Sequence, residues 1–518
     1  MNGEKSQYES PVQMQTGPSQ NQTSPKELML PNNLIDIDED GTLTSEANSF
    51  TLNYFLEKIG FGGFHLKRFF TVGMIGIMDG GVIMTFSLTV VMLAREWAIS
   101  EELQSLVVSA VFVAVVVGAY CAGPIADKFG RRMPMFINCF LIVLFNIISA
   151  FSTNIGMYAI TRCLLAFVCG FYSPIGFTYV LEIMPPSLRG RVMTMGYAML
   201  FVGQLFVCFV GLFTLETLDQ GNWRLLTLWS TLPGVLSFIL SFFYLDESVR
   251  YLLLHRKLDE AIRILEKSAE DAWRSDITSI TEQHRTQLKI WMETQTAAPK
   301  SKDKAPGIGL LFGKNYRILT LVIWFTWFAT NFVYYGLTLF FPYMLNEATK
   351  REFQKLEIDE EVDVNLSESN LGGLTLSISL ESLSVVIAYF VIDKKLWGRK
   401  KAMLVFYGLT CIFSIIAYFD RSRINMILWT TLMKIVLDVC GFYNFMVTLE
   451  AYPTQFRATG VGAATAVGKA GTILMPWVCG MLLQYSEYGP YIGFAVVTAL
   501  ASVTAMLLPY DTSEIEMK

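Results

Sequence analysis

The segment Leu181-Glu-Ile-Met-Pro185-Pro-Ser-Leu-Arg189 returns as Leu449-Glu-Ala-Tyr-Pro453-Thr-Gln-Phe-Arg457. Leucine, glutamate, proline and arginine recur at four matching positions, 268 residues apart. A second pair, Gly130-Arg131-Arg132 and Gly398-Arg399-Lys400, recurs at the same offset of 268. Chance supplies one such match but hardly two in register, so the chain carries an internal duplication. Each motif closes an apolar run, and the duplication therefore relates two sets of apolar segments.

A helix that crosses a bilayer needs about 20 mostly apolar residues. Twelve segments qualify, near 69–91, 105–125, 134–152, 156–181, 192–214, 224–245, 317–341, 371–392, 402–419, 425–448, 458–482 and 489–509. They divide six and six around a polar stretch, 246–316, in which Leu258, Ala261, Ile262 and Leu265 keep a helical period. Composition agrees. Of 518 residues, 53% are hydrophobic and 16% charged, against ~25% charged in soluble domains. Mean hydropathy is +0.43. A soluble chain of this length would need polar surface for about three domains, and the charged residues are too few to supply it. The expected fold is an all-α integral membrane protein, with twelve transmembrane helices in two six-helix pseudo-symmetric bundles. The expected divisions are a disordered cytosolic tail (1–50), an N-terminal bundle (51–245), a cytosolic helical linker (246–316), a C-terminal bundle (317–510) and a cytosolic C-terminal tail (511–518). Transporters built from parallel repeats place a substrate site between the halves, near the midplane.

Net charge is −5, which gives no basic excess for nucleic acid. The eight cysteines all lie in apolar runs without a Cys-x-x-Cys pair, and His65, His255 and His284 lie outside those runs. They read as small buried hydrophobes and soluble-side residues, with no disulfide frame, metal site or cofactor expected. Residues 1–50 are rich in Gln, Asn, Ser and Pro and lack the apolar core of a signal peptide.

Orientation follows from basic residues in short loops. One side holds Lys128, Arg131, Arg132, Arg189, Arg191, Lys394, Lys395, Arg399, Lys400, Lys401 and Arg457; the other holds only Arg95, Arg224, Arg421 and Arg423. The first side and both termini are expected in the cytosol. The 346–370 segment then reads as an acidic outer loop, and its Asn365-Leu366-Ser367 is either a glycan acceptor or an unused sequon. At the basic side, Gly123 lets the second span approach a neighbour. Asp127, Arg131 and Arg132, with Glu182, Arg189, Arg399, Glu450 and Arg457, form a candidate cytosolic gate of opposite charges. The plainer alternative is that the basic residues only set topology.

These residues carry a resemblance to the major facilitator superfamily. Gly123-Pro-Ile-Ala-Asp127-Lys-Phe-Gly130-Arg131-Arg132 resembles its signature between helices two and three. Asp246-Glu247-Ser248-Val249-Arg250 resembles the Pro-Glu-Ser-Pro-Arg segment after helix six of sugar and organic-ion porters, with Val249 in place of the second proline. Glu450-Ala-Tyr452-Pro453-Thr454 resembles the segment after helix ten. Asn331-Phe-Val-Tyr334-Tyr335-Gly336 is similar to helix seven of organic ion transporters. The lead-in Tyr54 to His65, followed by Asp79, most resembles the synaptic-vesicle-2-related branch. The second loop motif has two extra residues between Asp393 and Gly398, so Lys395 stands in register with Asp127.

An ionisable group at the bilayer centre costs ~2.5–3.5 kcal/mol on insertion scales. Six fall within spans: Asp79, Arg162, Glu381, Lys434, Asp438 and Lys469. Asp79, flanked by Gly76 and Gly80 that leave room beside it, is read as a proton carrier, a partner for a substrate amine, or a permanently paired carboxylate. Lys434 and Asp438 share a helix face at i, i+4 and read as a buried ion pair. Glu381 reads as a coupling or cation-binding group and resembles the acidic residue of organic cation porters. Lys469 resembles the basic residue implicated in anion binding by organic anion transporters. Arg162 reads as snorkelling or paired near the outer face. Gln204, Asn331, Tyr334 and Tyr335 complete the substrate-binding candidates, and Asp79, Glu381 and Asp438 the proton-coupling ones. Trp324 and Trp327 read as packing and interfacial anchors.

The leading expectation is a secondary or facilitative transporter of small organic solutes (organic ions or similar metabolites), working by alternating access, with protons as the driver where transport is coupled. The expected molecule is a monomer in the plasma membrane or a vesicle membrane. The alternative on the same fold is a non-transporting receptor or vesicle structural protein. No nucleophile–base set or phosphate-binding loop suggests an enzyme.

Overall fold

The computed structural model describes residues 52–218, 220–273, 275–277, 279–297, 308–313, 316–356, 360–391, 398–420, 422–452, 457–486 and 488–508. Among them, twelve helices are long and apolar enough to cross a bilayer: Gly63–Glu96, Glu102–Phe129, Arg132–Ala150, Ile155–Ile183, Pro186–Thr214, Trp223–Tyr244, Arg317–Arg351, Asn370–Ala388, Arg399–Phe419, Arg423–Thr448, Thr459–Tyr485 and Gly489–Met506. Helices are the natural solution here, because hydrocarbon offers no partner for a free backbone N–H or C=O.

The duplication seen in the motifs extends to the packing. In the first half the first span lies against the fifth and sixth, the second against the fourth, and the third against the fourth and sixth. In the second half the seventh lies against the eleventh and twelfth, the eighth against the tenth, and the ninth against the tenth and twelfth. Each of these neighbours is displaced by six. Among the described residues the broadest contacts between the halves are second with eleventh, fifth with eighth, and first with seventh.

Glycines set how closely the inner helices approach. A Cβ at Gly80 would stand 2.0 Å from the Leu200 carbonyl oxygen, and one at Gly203 would stand 1.9 Å from that of Ile77. Backbone therefore meets backbone between the first and fifth spans, the usual use of small residues in membranes. Gly76 faces the Tyr172 hydroxyl, 2.4 Å from where its Cβ would be. The room expected beside Asp79 is thus already filled by the fifth span and by Tyr172. The fourth span brings Tyr172 there through a π-turn, Tyr172–Phe177. Pro174 within it has no N–H to give to the regular helical ladder.

On the side of the basic loops, the linker forms helices Val249–Leu254, Leu258–Glu270 and Glu282–Ala297. It grips the short helix Leu52–Ile59 and the start of the first span. Gly63 N–H donates to the Asp271 carbonyl at 2.9 Å, Trp273 N–H donates to that of Phe61 at 3.1 Å, and Lys67 pairs with Asp271 at 3.0 Å.

One expectation is corrected. The helix of the seventh span continues to Leu356, and the next begins at Glu360. Asn365 therefore sits on helical backbone, not in a loop. A Lys350–Glu347 pair at 2.7 Å, spaced i, i+3, supports the helix beyond the apolar run.

Candidate translocation site

The halves face each other with opposite charges at mid-span. Asp79 lies on the first span, beside Cys169 of the fourth. Lys469 lies on the eleventh span. Its ammonium donates to the Tyr335 hydroxyl at 3.3 Å and stands 5.2 Å from that ring. Lys469 is the cation whose field reaches Asp79, yet no ion pair joins the two among the described residues. Asp79, Tyr334, Tyr335 and Lys469 all keep partly accessible side chains, although their helices run through the interior. Aromatic edges surround them. Phe112 meets Tyr335 at 5.1 Å, Tyr334 meets Tyr335 at 5.3 Å, and Tyr197 meets Phe442 across the halves at 6.1 Å.

A second cluster lies where the fifth span meets the eighth. Lys434 pairs with Glu381 at 2.9 Å, with side chains 2% and 0% exposed. The i, i+4 spacing had suggested Asp438 as its partner. The eighth span instead presents Glu381 to the ammonium, and Asp438 accepts a 3.2 Å hydrogen bond from Ser384. Glu381 is enclosed, with one carboxylate oxygen on the Lys434 ammonium. Gln204, also buried, donates to the Tyr334 hydroxyl at 3.1 Å and so bridges the halves.

Other expected groups are tied elsewhere. Asn331 donates at 2.9 Å to the Trp327 carbonyl, one turn back on its own helix. Trp327 donates to Thr448 at 2.9 Å and packs within the bundle, while Trp324 stacks edge-on with Phe312. Arg162 does not snorkel. It is 1% exposed, donates to Asn146 at 3.4 Å and lies 5.0 Å from the Tyr158 ring.

The candidate gate residues pair within each half. Arg131 meets Asp127 at 2.9 Å and Glu182 at 3.4 Å; Arg399 meets Glu450 at 3.1 Å. Arg131–Glu182 and Arg399–Glu450 are both 51 residues apart, so the duplication repeats an ion pair. Burial works against the Arg131 guanidinium, but Glu182 and Asp127 outweigh it and raise its pKa above the ordinary value. Arg189 donates to Asn53 at 2.9 Å. The Arg457 side chain and residues 392–397 and 453–456 lie outside the described residues. Sequence reading missed Glu247, whose carboxylate accepts from the backbone N–H groups of Arg131, Arg132 and Ser248. Gly130 makes this possible, with φ +87° and a Cβ position 2.2 Å from a Glu247 oxygen. The signal was present in the Asp246-Glu247-Ser248 motif, but its target lies on another loop.

The seam between the halves differs at its two ends. Away from the basic loops, Ser87 donates to the Thr338 carbonyl at 2.8 Å and Ser109 to that of Ile473 at 3.1 Å. A Cβ at Gly480 would lie 2.7 Å from the Ser105 hydroxyl. A small cleft of about 40 Å³ remains there, mostly apolar and with no charged side chain in its lining. At the basic end, Gly123 and Gly462 would have nothing within 4 Å of a Cβ. Gly123 therefore makes no close approach to a neighbouring helix. Ser87, Ser109 and Gly480 hold the halves together at the end away from the basic loops.

Residues 69–517 match the family described as "Sugar (and other) transporter". "Putative transporter svop-1" of Caenorhabditis elegans is 26% identical over 494 residues, covering 94% of this chain and 91% of that protein. "Organic cation/carnitine transporter 7" of Arabidopsis thaliana is 27% identical over 486 residues, covering 90% and 95%. Among solved structures, the partially occluded inward open conformation of the xylose transporter XylE from E. coli superposes with a TM-score of 0.68 at 17% identity, covering 88% of this chain and 99% of that one. At that identity the likeness establishes the fold. With the family match spanning nearly all the membrane helices, the chain belongs to the sugar (and other) transporter family of the major facilitator superfamily, as a twelve-span carrier of small solutes and not an enzyme.

Proposed function

We propose that this carrier moves small organic ions by alternating access, with the solute held between Asp79 and Lys469. One observation supports this above the rest: unlike charges from opposite halves face each other at mid-span without touching. Each costs ~2.5–3.5 kcal/mol to hold in the membrane, and a direct pair would be the cheaper arrangement if structure were the only purpose. A solute between them offers a carboxylate to Lys469 and an amine to Asp79. Tyr334 and Tyr335 supply aromatic faces suited to an organic cation or a drug-sized body. Gln204 ties the halves beside the solute. The relative named an organic cation/carnitine transporter agrees with this substrate class.

In this reading the basic end is cytosolic, both termini lie there, and the described conformation is open to the cytosol. The protein works as a monomer in the plasma membrane or a vesicle membrane. The driving ion is the proton, carried on a buried carboxylate. Arg131–Glu182 and Arg399–Glu450 brace the cytosolic end of each half.

The test is uptake into proteoliposomes of organic anions, organic cations and a sugar, with and without a pH gradient. A charge-assisted hydrogen bond is worth ~1.5–3 kcal/mol, so Lys469→Ala should raise KM for an anionic solute by roughly 10- to 100-fold. Asp79→Asn should reduce uptake of the same solute or abolish its response to pH. Parent-like transport by both variants removes the site assignment. A parent that moves nothing in the panel favours a receptor role.

A further inference from the structure

The cluster at the junction of the fifth and eighth spans is not used by the Asp79–Lys469 site, and its charges do not balance. Lys434 serves two carboxylates. Glu381 pairs with it directly at 2.9 Å, and the Asp438 charge acts on it from one turn along the tenth span. One negative charge is left over. Hydrogen bonds are short by the same sign. Glu381 Oε1 and Gln204 Oε1, on residues 0% and 1% exposed, receive no donor among the described residues. Asp438 receives the Ser384 hydroxyl at 3.2 Å.

Among the described residues the surroundings offer no second cation. From the seventh span comes the Tyr334 hydroxyl, which feels both carboxylates, and from the fifth comes Cys208, which feels Glu381 and Lys434. Tyr407 of the ninth span turns to Thr330 and Asn444 on the other face of the bundle. Lys469 of the eleventh span acts on Asp79 instead. What the cluster lacks is one positive charge that also donates a hydrogen bond. Leaving a buried charge uncompensated costs several kcal/mol. Lys434 already fills the central cation position and would repel a metal ion. A proton needs no room and supplies both the charge and the donor. Of the three charged members only Asp438 keeps a partly accessible side chain, so it is the one that exchanges with water.

We propose that Asp438 is a proton-binding site distinct from the solute site, which neutralises the Glu381–Lys434–Asp438 trio while the fifth and eighth spans are packed together. Uptake forms one O–H bond on the Asp438 carboxylate from a hydrated proton, with no leaving group. Release breaks that bond and returns the proton to water. The Gln204–Tyr334 hydrogen bond connects the trio to the seam, so parting the halves there alters the surroundings of both carboxylates. As a coupling device this rests on the transport reading; as a proton site it does not.

The experiment is infrared difference spectroscopy of the full chain in lipid nanodiscs, titrated with acid and base without solute. An Asp79→Asn background is used, so that the carboxyl of the solute site is silent. The expected result is a carbonyl band of a buried carboxylic acid that appears and disappears with pH. It is lost in Asp438→Asn and returns at a shifted frequency in Asp438→Glu. A band that survives Asp438→Asn, or the absence of any titrating band, overturns the proposal. If Asp438→Asn does not elute as a folded monodisperse protein, the frequency shift in Asp438→Glu decides alone. In proteoliposomes, accumulation driven by a pH gradient should fall at least tenfold in Asp438→Asn with Asp79 intact; unchanged accumulation would overturn the coupling role. If the parent carries no solute, the transport reading fails while the infrared titration still decides the proton site.

Discussion

Ser105→Cys combined with Gly480→Cys is expected to lock the carrier shut at the end away from the basic loops. Ser105 lies on the second span and Gly480 on the eleventh, which pack together across the seam. A Cβ built at Gly480 stands 3.8 Å from the Ser105 Cβ. Disulfides span ~3.5–4.5 Å between Cβ atoms, with a mean near that value, so the bond can form without moving the backbone. The Ser87 and Ser109 hydrogen bonds that hold the same end contribute about 1 kcal/mol each, an amount a working carrier overcomes at every cycle. A covalent bond it cannot overcome. Transport should therefore fall to background on oxidation and recover on reduction, while each single substitution keeps near-parent rates. The eight native thiols are buried or half-buried in the spans. A protease site placed in the linker then reports the new bond, because the two halves stay together on a non-reducing gel. Cross-linked protein that transports at the parent rate would refute alternating opening of this end. Failure to cross-link would refute the packing of the second span on the eleventh.

Three further outcomes follow from the packing. Lys434→Met removes the ammonium that serves both Glu381 and Asp438 and should cost about 3 kcal/mol. Adding Glu381→Gln and Asp438→Asn should recover most of that loss, read by unfolding in mixed micelles titrated with dodecyl sulfate; a neutral single substitution would show that the trio is not enclosed. Gly203→Leu drives a side chain into the Ile77 carbonyl, 1.9 Å from its Cβ, and should abolish the monodisperse peak in size-exclusion chromatography, whereas Gly123→Leu, with open space around it, should leave the peak unchanged. Gly130→Ala imposes φ +87° on an L-residue beside Glu247 and should lower stability by about 1–2 kcal/mol, measured as Tm; pairing it with Glu247→Ala should relieve the steric part and leave the backbone part.

The spans, their number and their division into related halves were readable from the sequence because a bilayer imposes one strong local rule. A segment must be about 20 apolar residues long and satisfy its own backbone, and neither condition depends on the neighbouring helix. The paired motifs were readable for a similar reason: Arg131–Glu182 and Arg399–Glu450 were both visible as repeated letters before they were seen as repeated ion pairs. Rotation of one helix against another leaves no such mark. Helical spacing offered Asp438 to Lys434, and only the approach of the eighth span makes Glu381 the closer partner. Gly76 and Gly80 looked like space beside Asp79 until the fifth span and the Tyr172 hydroxyl were found to occupy it. Glu247 and Gly130 are 117 residues apart, and nothing local tells the carboxylate which loop it will cap. Local hydrophobic length determined what crosses the membrane, whereas side-chain reach between helices, a property of the assembled bundle, decided which charges are neutralised and which remain free to act.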